Sequence, residues 1–223
     1  YTLFVSKADY GLYGLALSVA GVFQMLCMFG MRQSLNRFVA TARGAQDDVR
    51  AKAVVREGLR LMIPASALAL LLFTGGAVLF GDRFLEGSRL LPLAILLGIY
   101  IPTKSLQFVL QGVLEGSAAF HPLWVNSTII NVSQLVVVAF GVWWGLDIHG
   151  LLLIDLSMAA LGIALHGYTV RAGLLPGPAA EPDPALRREL FWFGLPLFIH
   201  GVAGYLYGRV DLVFIQAWLT SED

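Results

Sequence analysis

Tyr10–Met31 reads YGLYGLALSVAGVFQMLCMFGM, 22 residues without a charge. At about 1.5 Å rise per residue, a helix of that length crosses a hydrocarbon layer about 30 Å thick. Arg32–Arg60 follows at once and carries seven Lys or Arg residues. A dense cationic segment beside an apolar run keeps that end of the helix on the cytoplasmic side. Composition agrees with this reading. The chain is 57% hydrophobic and 13% charged, with mean hydropathy +0.74, whereas a soluble domain carries about 25% charged residues. The class is therefore integral membrane protein, and a nucleic-acid partner is not expected. The formal net charge of zero names no partner, because the charges are segregated by loop. The single cysteine, Cys27, lies inside an apolar run and supplies neither a disulfide framework nor a metal cluster. No metal and no cofactor is expected.

Six apolar runs are expected to span the membrane: Tyr10–Met31, Leu61–Phe80, Leu90–Leu114, Pro122–Leu146, Leu151–Val170 and Phe191–Leu219. None shows the roughly ten-residue alternation of a barrel strand, so the fold class is an all-α polytopic bundle. With Arg32–Arg60 inside, alternation places Glu115–His121 and Arg171–Glu189 inside as well. Those inner segments hold ten Lys or Arg residues, against three (Lys7, Arg83, Arg89) in the outer ones. That bias supports the orientation. Trp143 and Trp144 fall at an outer end, where an interfacial aromatic belt belongs. Between spans, Arg32–Arg60 is expected to form short amphipathic helices on the inner membrane surface. Gly173–Pro184, GLLPGPAAEPDP, is the candidate linker between two bundles. An internal repeat is also visible. AWLTSED at the end matches LFVSKADYG at the start with an offset of 214 residues, so the chain reads as a fragment of a longer, duplicated protein.

Two segments carry a resemblance. An acidic residue before YGLYGLALS, an apolar helix and then FGMRQSLNRFVA resembles the polysaccharide-export flippases. These belong to the superfamily that also holds lipid II flippases and multidrug-and-toxin extruders. FGLPLFIHGVAGYLYGRVDLVFIQAWLTSED looks like the opening helix of that family's second lobe. The two segments cover about a third of the chain and fall where the repeat offset places them. The resemblance implies two six-helix lobes in an inverted V. Residues 1–172 would hold helices two to six of the first lobe, 173–189 a cytoplasmic linker, and 190–223 the first helix of the second. It also implies alternating-access transport of a lipid-linked oligosaccharide across the bacterial inner membrane. The cargo would be an undecaprenyl-pyrophosphate-linked oligosaccharide, with a polysaccharide polymerase or glycosyltransferase as possible partners.

Such cargo needs cations for the pyrophosphate, polar groups for the sugar and an apolar side opening for the lipid. Arg suits phosphate through its planar paired donors. Arg209 lies within a span, where an ionisable group faces a bundle interior or water. It is a candidate phosphate contact, and Asp211 a candidate coupling-ion site; an interhelical ion pair is the other role open to them. Arg32 and Arg37, at the inner mouth of the first span, either anchor it or capture pyrophosphate. Lys104 either lines the cavity or snorkels along its stem. Asn131 and Gln134 share a stripe with Ser127, and Gln24 shares a face with Gly14, Ser18 and Gly21. These amides either wall a sugar cavity or bond between helices. Asp155, near an outer end, is a second candidate coupling group or a plain hydrogen-bonded carboxylate. His166 and His200 have no metal-ligand spacing and no assigned role.

Other functions stay open. A multidrug or cation antiporter, or a lipid II flippase, would share the architecture. A membrane-embedded polyprenyl-glycan transferase would need a sizeable outer loop with paired carboxylates or a catalytic histidine. The longest outer connection here, Gly81–Arg89, is nine residues.

Overall fold

The computed structural model describes residues 7–84, 90–173 and 181–208. They form seven helices: α1 Lys7–Met28, α2 Met31–Gly44, α3 Asp48–Phe84, α4 Leu90–Gly116, α5 Phe120–Trp143, α6 Ile148–Gly173 and α7 Pro184–Tyr207. Among the described residues there is no strand. Five segments are long and apolar enough to cross a membrane: Asp48–Gly76, Leu93–Gly116, Phe120–Trp143, Ile148–Gly173 and Pro184–Tyr207. They correspond to the second through sixth expected spans, and α1 is the helix of the first. The protein is a polytopic helical membrane protein.

α4 is the central helix and packs against α1, α2, α3, α5 and α6. Two apolar cores form along it. At the basic end Met31, Leu35, Val39, Val54, Val109, Val113 and Leu190 pack together. Toward the other end Ala20, Cys27, Phe73, Leu93, Leu97, Ile101 and Leu152 do so. On α4 the first core begins at Val109 and the second ends at Ile101. The stretch between them carries Lys104, Ser105 and Gln107. On α6 the level of Gln107 is marked by Gly162, against which its amide packs, with Asp155 toward the second core and His166 toward the first. α5 presents Trp124, Leu135, Val136, Phe140 and Trp143 outward, as a lipid-facing helix does.

Three expectations change. The apolar run at the start breaks at Phe29 and Gly30, both at positive φ (43° and 68°), so α1 ends at Met28. A Cβ at Gly30 would collide with the carbonyl oxygen of Gly194 on α7, and only glycine allows that approach. Second, Arg32–Arg60 holds one short amphipathic helix rather than several, and its apolar face is turned to the bundle. α2 buries Met31, Ser34, Leu35, Val39 and Ala42 and packs against α3, α4 and α7. Its apolar residues recur at one-turn spacing and so form a full packing face. Asp48–Arg60 is continuous with the second span as one 37-residue helix that runs through Pro64. Ala51, Val54, Val55, Met62, Ala69 and Phe73 extend its buried face without a break. Third, the last described helix starts at Pro184, ahead of the expected Phe191. Asp183 caps it by accepting the Leu186 N–H at 3.0 Å, with proline at the first turn, a strong start signal.

Candidate functional site

Ser105 and Gln107 are buried on α4 between the stretches that build the two apolar cores; on α6 Asp155 is buried between Leu152 and Leu156 of the second core, and His166 against Gln111 in the first. An ionised or amide group there must find a partner, because hydrocarbon offers none. Asp155, 6% exposed, accepts a 2.7 Å hydrogen bond from Gln134 Nε2 on α5. On α4 it acts electrostatically on both Tyr100 and Lys104, one turn apart. The Gln24 side chain reaches the Tyr100 hydroxyl from α1. Tyr205 approaches from α7, with its hydroxyl donating to Ser18 O at 2.8 Å. Lys104 Nζ stands 5.3 Å from the Phe108 ring centroid. Five helices thus converge on one polar layer holding an ammonium, a carboxylate, two amides and two phenols.

The basic end is built differently. Arg32 Nη2 donates to Glu115 Oε1 at 2.7 Å, and Asn36 Nδ2 donates to Glu115 Oε2 at 3.3 Å. This α2–α4 contact is close because Gly112 and Gly116 sit against the carbonyl oxygens of Arg32 and Asn36. Arg32 is therefore held by a carboxylate. Arg37 lies over Phe193 of α7, 4.6 Å from the ring centroid. Stacking uses the guanidinium face and leaves its N–H edge for an anion. Deeper, Glu57 is fully buried and receives Arg60 at 2.8 Å and both Nε and Nη2 of Arg187 at 2.7 Å.

Of the residues singled out in the sequence, Gln24, Lys104, Gln134 and Asp155 meet in the polar layer. Arg32 and Arg37 stand at the basic end, apart from one another in partners. Asn131 is exposed on α5 while Gln134 points inward, so that stripe divides; Asn126 takes the inward place and donates to Thr169 Oγ1 at 3.1 Å. Arg209 and Asp211 lie outside the described residues. His200 is exposed, whereas His166 is buried and within 3.3 Å of Gln111 Nε2. Tyr100, Phe108, Glu57 and Glu115 were not singled out. Tyr100, Lys104 and Phe108 follow at i, i+4 and i+8, a spacing that puts them on one face of α4. No local signal ties Glu115 to Arg32, 83 residues away. Among the described residues no group of three or more His, Cys, Asp or Glu is placed to hold a metal.

A family model described as polysaccharide biosynthesis protein matches residues 1–223. No curated protein and no solved structure matches the chain significantly.

Proposed function

The chain belongs to the polysaccharide biosynthesis protein family, and on that premise we propose that it works as a flippase rather than an enzyme. It would move a lipid-linked oligosaccharide across the bacterial inner membrane by alternating access. The observation that carries this reading is the polar cluster around Lys104 and Asp155, fed from five helices. An ammonium and a carboxylate are costly inside a span, and here they stand among amides and phenols brought by neighbouring helices. A cargo with a charged head and a sugar needs both polar walls and a cation.

In this reading Arg37, at the basic end taken as cytoplasmic, meets the pyrophosphate first. Lys104 receives it deeper, and Gln24, Gln134 and Tyr100 replace water around the sugar. Asp155 balances Lys104 while the site is empty and is the coupling group among the described residues. Arg32 holds α2 to α4 through Glu115. Arg209 and Asp211 keep their proposed roles as a phosphate contact and a coupling-ion site. The residues before the linker would form one lobe, and α7 would open the next.

The test is export in a bacterial host whose own polysaccharide flippase is deleted. The full natural protein should restore surface polysaccharide. Lys104→Met and Asp155→Asn, at matched membrane abundance, should each lower it at least about tenfold, as loss of a charge-assisted contact of about 1.5–3 kcal/mol would. Lowered accumulation of a cationic dye without restored export would instead make the protein a drug extruder.

A further inference from the structure

Two cations share one aromatic ring on α4. Lys104 Nζ stands 5.3 Å from the Phe108 ring centroid, and Arg32 Cζ, brought by α2, stands 5.8 Å from the same centroid. A cation within about 6 Å of a ring centroid is attracted by the negative face of the ring. Lys104 and Phe108 are one turn apart on α4, so the helix itself pairs them. Arg32 is held from the other direction. Its Nη2 donates to Glu115 Oε1 at 2.7 Å, and Asn36 Nδ2 donates to the second oxygen of that carboxylate at 3.3 Å. Gly112, between Phe108 and Glu115 on α4, lets the Arg32 backbone come to where a Cβ would collide. Two like charges held on one ring repel each other, the more so where water is scarce. Their countercharge is uneven. Glu115 engages one N–H of Arg32, and a guanidinium has five. Among the described residues the Lys104 ammonium makes no hydrogen bond and no ion pair; Asp155 of α6 acts on it through its field. Lys104, Phe108, Arg32 and Glu115 are all partly exposed. They stand on α4 between Arg32 of α2 and Asp155 of α6, two helices with little or no contact with each other.

We propose that Phe108 is the positioning residue of a diphosphate site, in which its ring holds Lys104 and Arg32 as the two cations and Glu115 keeps Arg32 on the ring. A lone cation inside a span suits any anion. Two cations on one ring suit an anion with two linked charged groups. A diphosphate offers one phosphoryl group to each cation, meets the unused N–H donors of both and relieves their mutual repulsion. A single phosphate carries less charge and gains less from the second cation. Arg32 opens α2 at the basic end and Lys104 belongs to the polar cluster, so the pair also joins the two. This inference rests on the proposed cargo for the identity of the diphosphate. It adds to that reading a second cation and the ring that pairs it with the first.

The test is binding of labelled inorganic pyrophosphate, with inorganic phosphate in parallel, to the full natural protein in lipid nanodiscs. Phe108→Leu keeps an apolar side chain and removes the ring. It should weaken pyrophosphate about tenfold and phosphate less than about twofold, so that the preference between them collapses. Lys104→Met and Arg32→Gln should each collapse it likewise, and Phe108→Tyr, which keeps the ring, should retain it. Phe108→Met is the second ringless variant, should Phe108→Leu fail to fold. No pyrophosphate binding by the wild type overturns the site. So does an unchanged preference in the ringless variant, or equal loss of both anions, which is what lost packing alone would give. A preference that persists in Lys104→Met or in Arg32→Gln overturns the pairing of the cations. A polyprenyl diphosphate in the nanodisc should displace pyrophosphate, and a polyprenyl monophosphate should do so about tenfold less well. Failure of both to displace it overturns a lipid headgroup as the source of the diphosphate. Binding is read without transport. A protein that translocates its cargo but ignores Phe108→Leu loses this site and keeps the flippase reading; one that binds as stated and translocates nothing does the reverse.

Discussion

Glu57 has no exposed surface, yet its carboxylate is tolerated because two arginines close on it from α3 and α7. Removing the carboxylate leaves both guanidiniums facing an apolar contact. Breaking a fully buried pair costs about 3–5 kcal/mol. Arg60 and Arg187 keep 35% and 41% of their side chains exposed, so water recovers part of the loss. Glu57→Ala should therefore destabilise by about 2–3 kcal/mol, read as a lowered unfolding midpoint in detergent. The glycines of the α2–α4 contact make a second residue-scale prediction. Gly112→Ala puts a methyl group into the Arg32 carbonyl and should cost about 1–3 kcal/mol, as overpacking does. Gly44→Ala, which meets open space, should cost nothing measurable by the same assay. Neither site was legible in the sequence. VVREGLR belongs to an expected amphipathic helix, with Val54, Val55 and Leu59 among charges, and nothing local marks Glu57 as buried; Arg187 of α7 closes on it from 130 residues later in the chain. By contrast Lys104 and Asp155 stood out at once, because a charge inside an apolar run is visible without any tertiary knowledge.

At the scale of the elements, helix type followed from apolar runs of spanning length; the six runs account for six of the seven described helices, α2 comes from the charged segment between two of them, and boundaries followed less well. Asp48–Phe84 is one helix because nothing in Arg56–Leu61 stops it; the shift from charged to apolar marks a change of surroundings and not of backbone. In the sequence α2 is amphipathic, with Leu35, Phe38 and Val39 on one side among charges, and that pattern does not say what the apolar side meets. Its buried face is completed by α3, α4 and α7 together, with Leu35 against Gly58 and Met31 against Gly194, contacts that no local pattern records. The start of α6 is held by Asp147, whose carboxylate accepts the Gly150 N–H at 3.0 Å and faces His149 Nδ1 at 3.0 Å. The Gly150 N–H first, and His149 second, hold this carboxyl below the usual aspartate range. A lowered native value means that the stabilisation is present above the ordinary aspartate range. It is lost as pH falls through the lowered value. The Leu151 amide, bonded to Asp147 O, should accordingly exchange its hydrogen more readily, relative to its unprotected rate, below about pH 4. Asp147→Ala should produce the same fraying at neutral pH, by about 1 kcal/mol.

For the whole molecule, the organising feature is a bundle with two apolar cores and one polar layer, around Lys104 and Asp155, set against the second. Gln24, Lys104, Gln134 and Asp155 reach that layer from four helices, and Tyr205 adds a fifth. The sequence marks the first four separately, Lys104 and Asp155 as charges inside apolar runs and Gln24 and Gln134 by helical spacing; only the packing of α4 against its neighbours makes them one site. It also separates them from Asn131, exposed on α5, and from Arg32, held by Glu115. A layer of that kind suits a cargo whose head is charged and sugar-bearing. The direct test is translocation by the purified full protein in proteoliposomes loaded with a labelled undecaprenyl-pyrophosphate oligosaccharide. The labelled lipid starts in one leaflet, and a membrane-impermeant glycan-modifying reagent reads the other. The account predicts protein-dependent arrival in the second leaflet, falling at least about tenfold in Lys104→Met. Arrival at the protein-free rate, or arrival unchanged by that substitution in a folded protein, would contradict it.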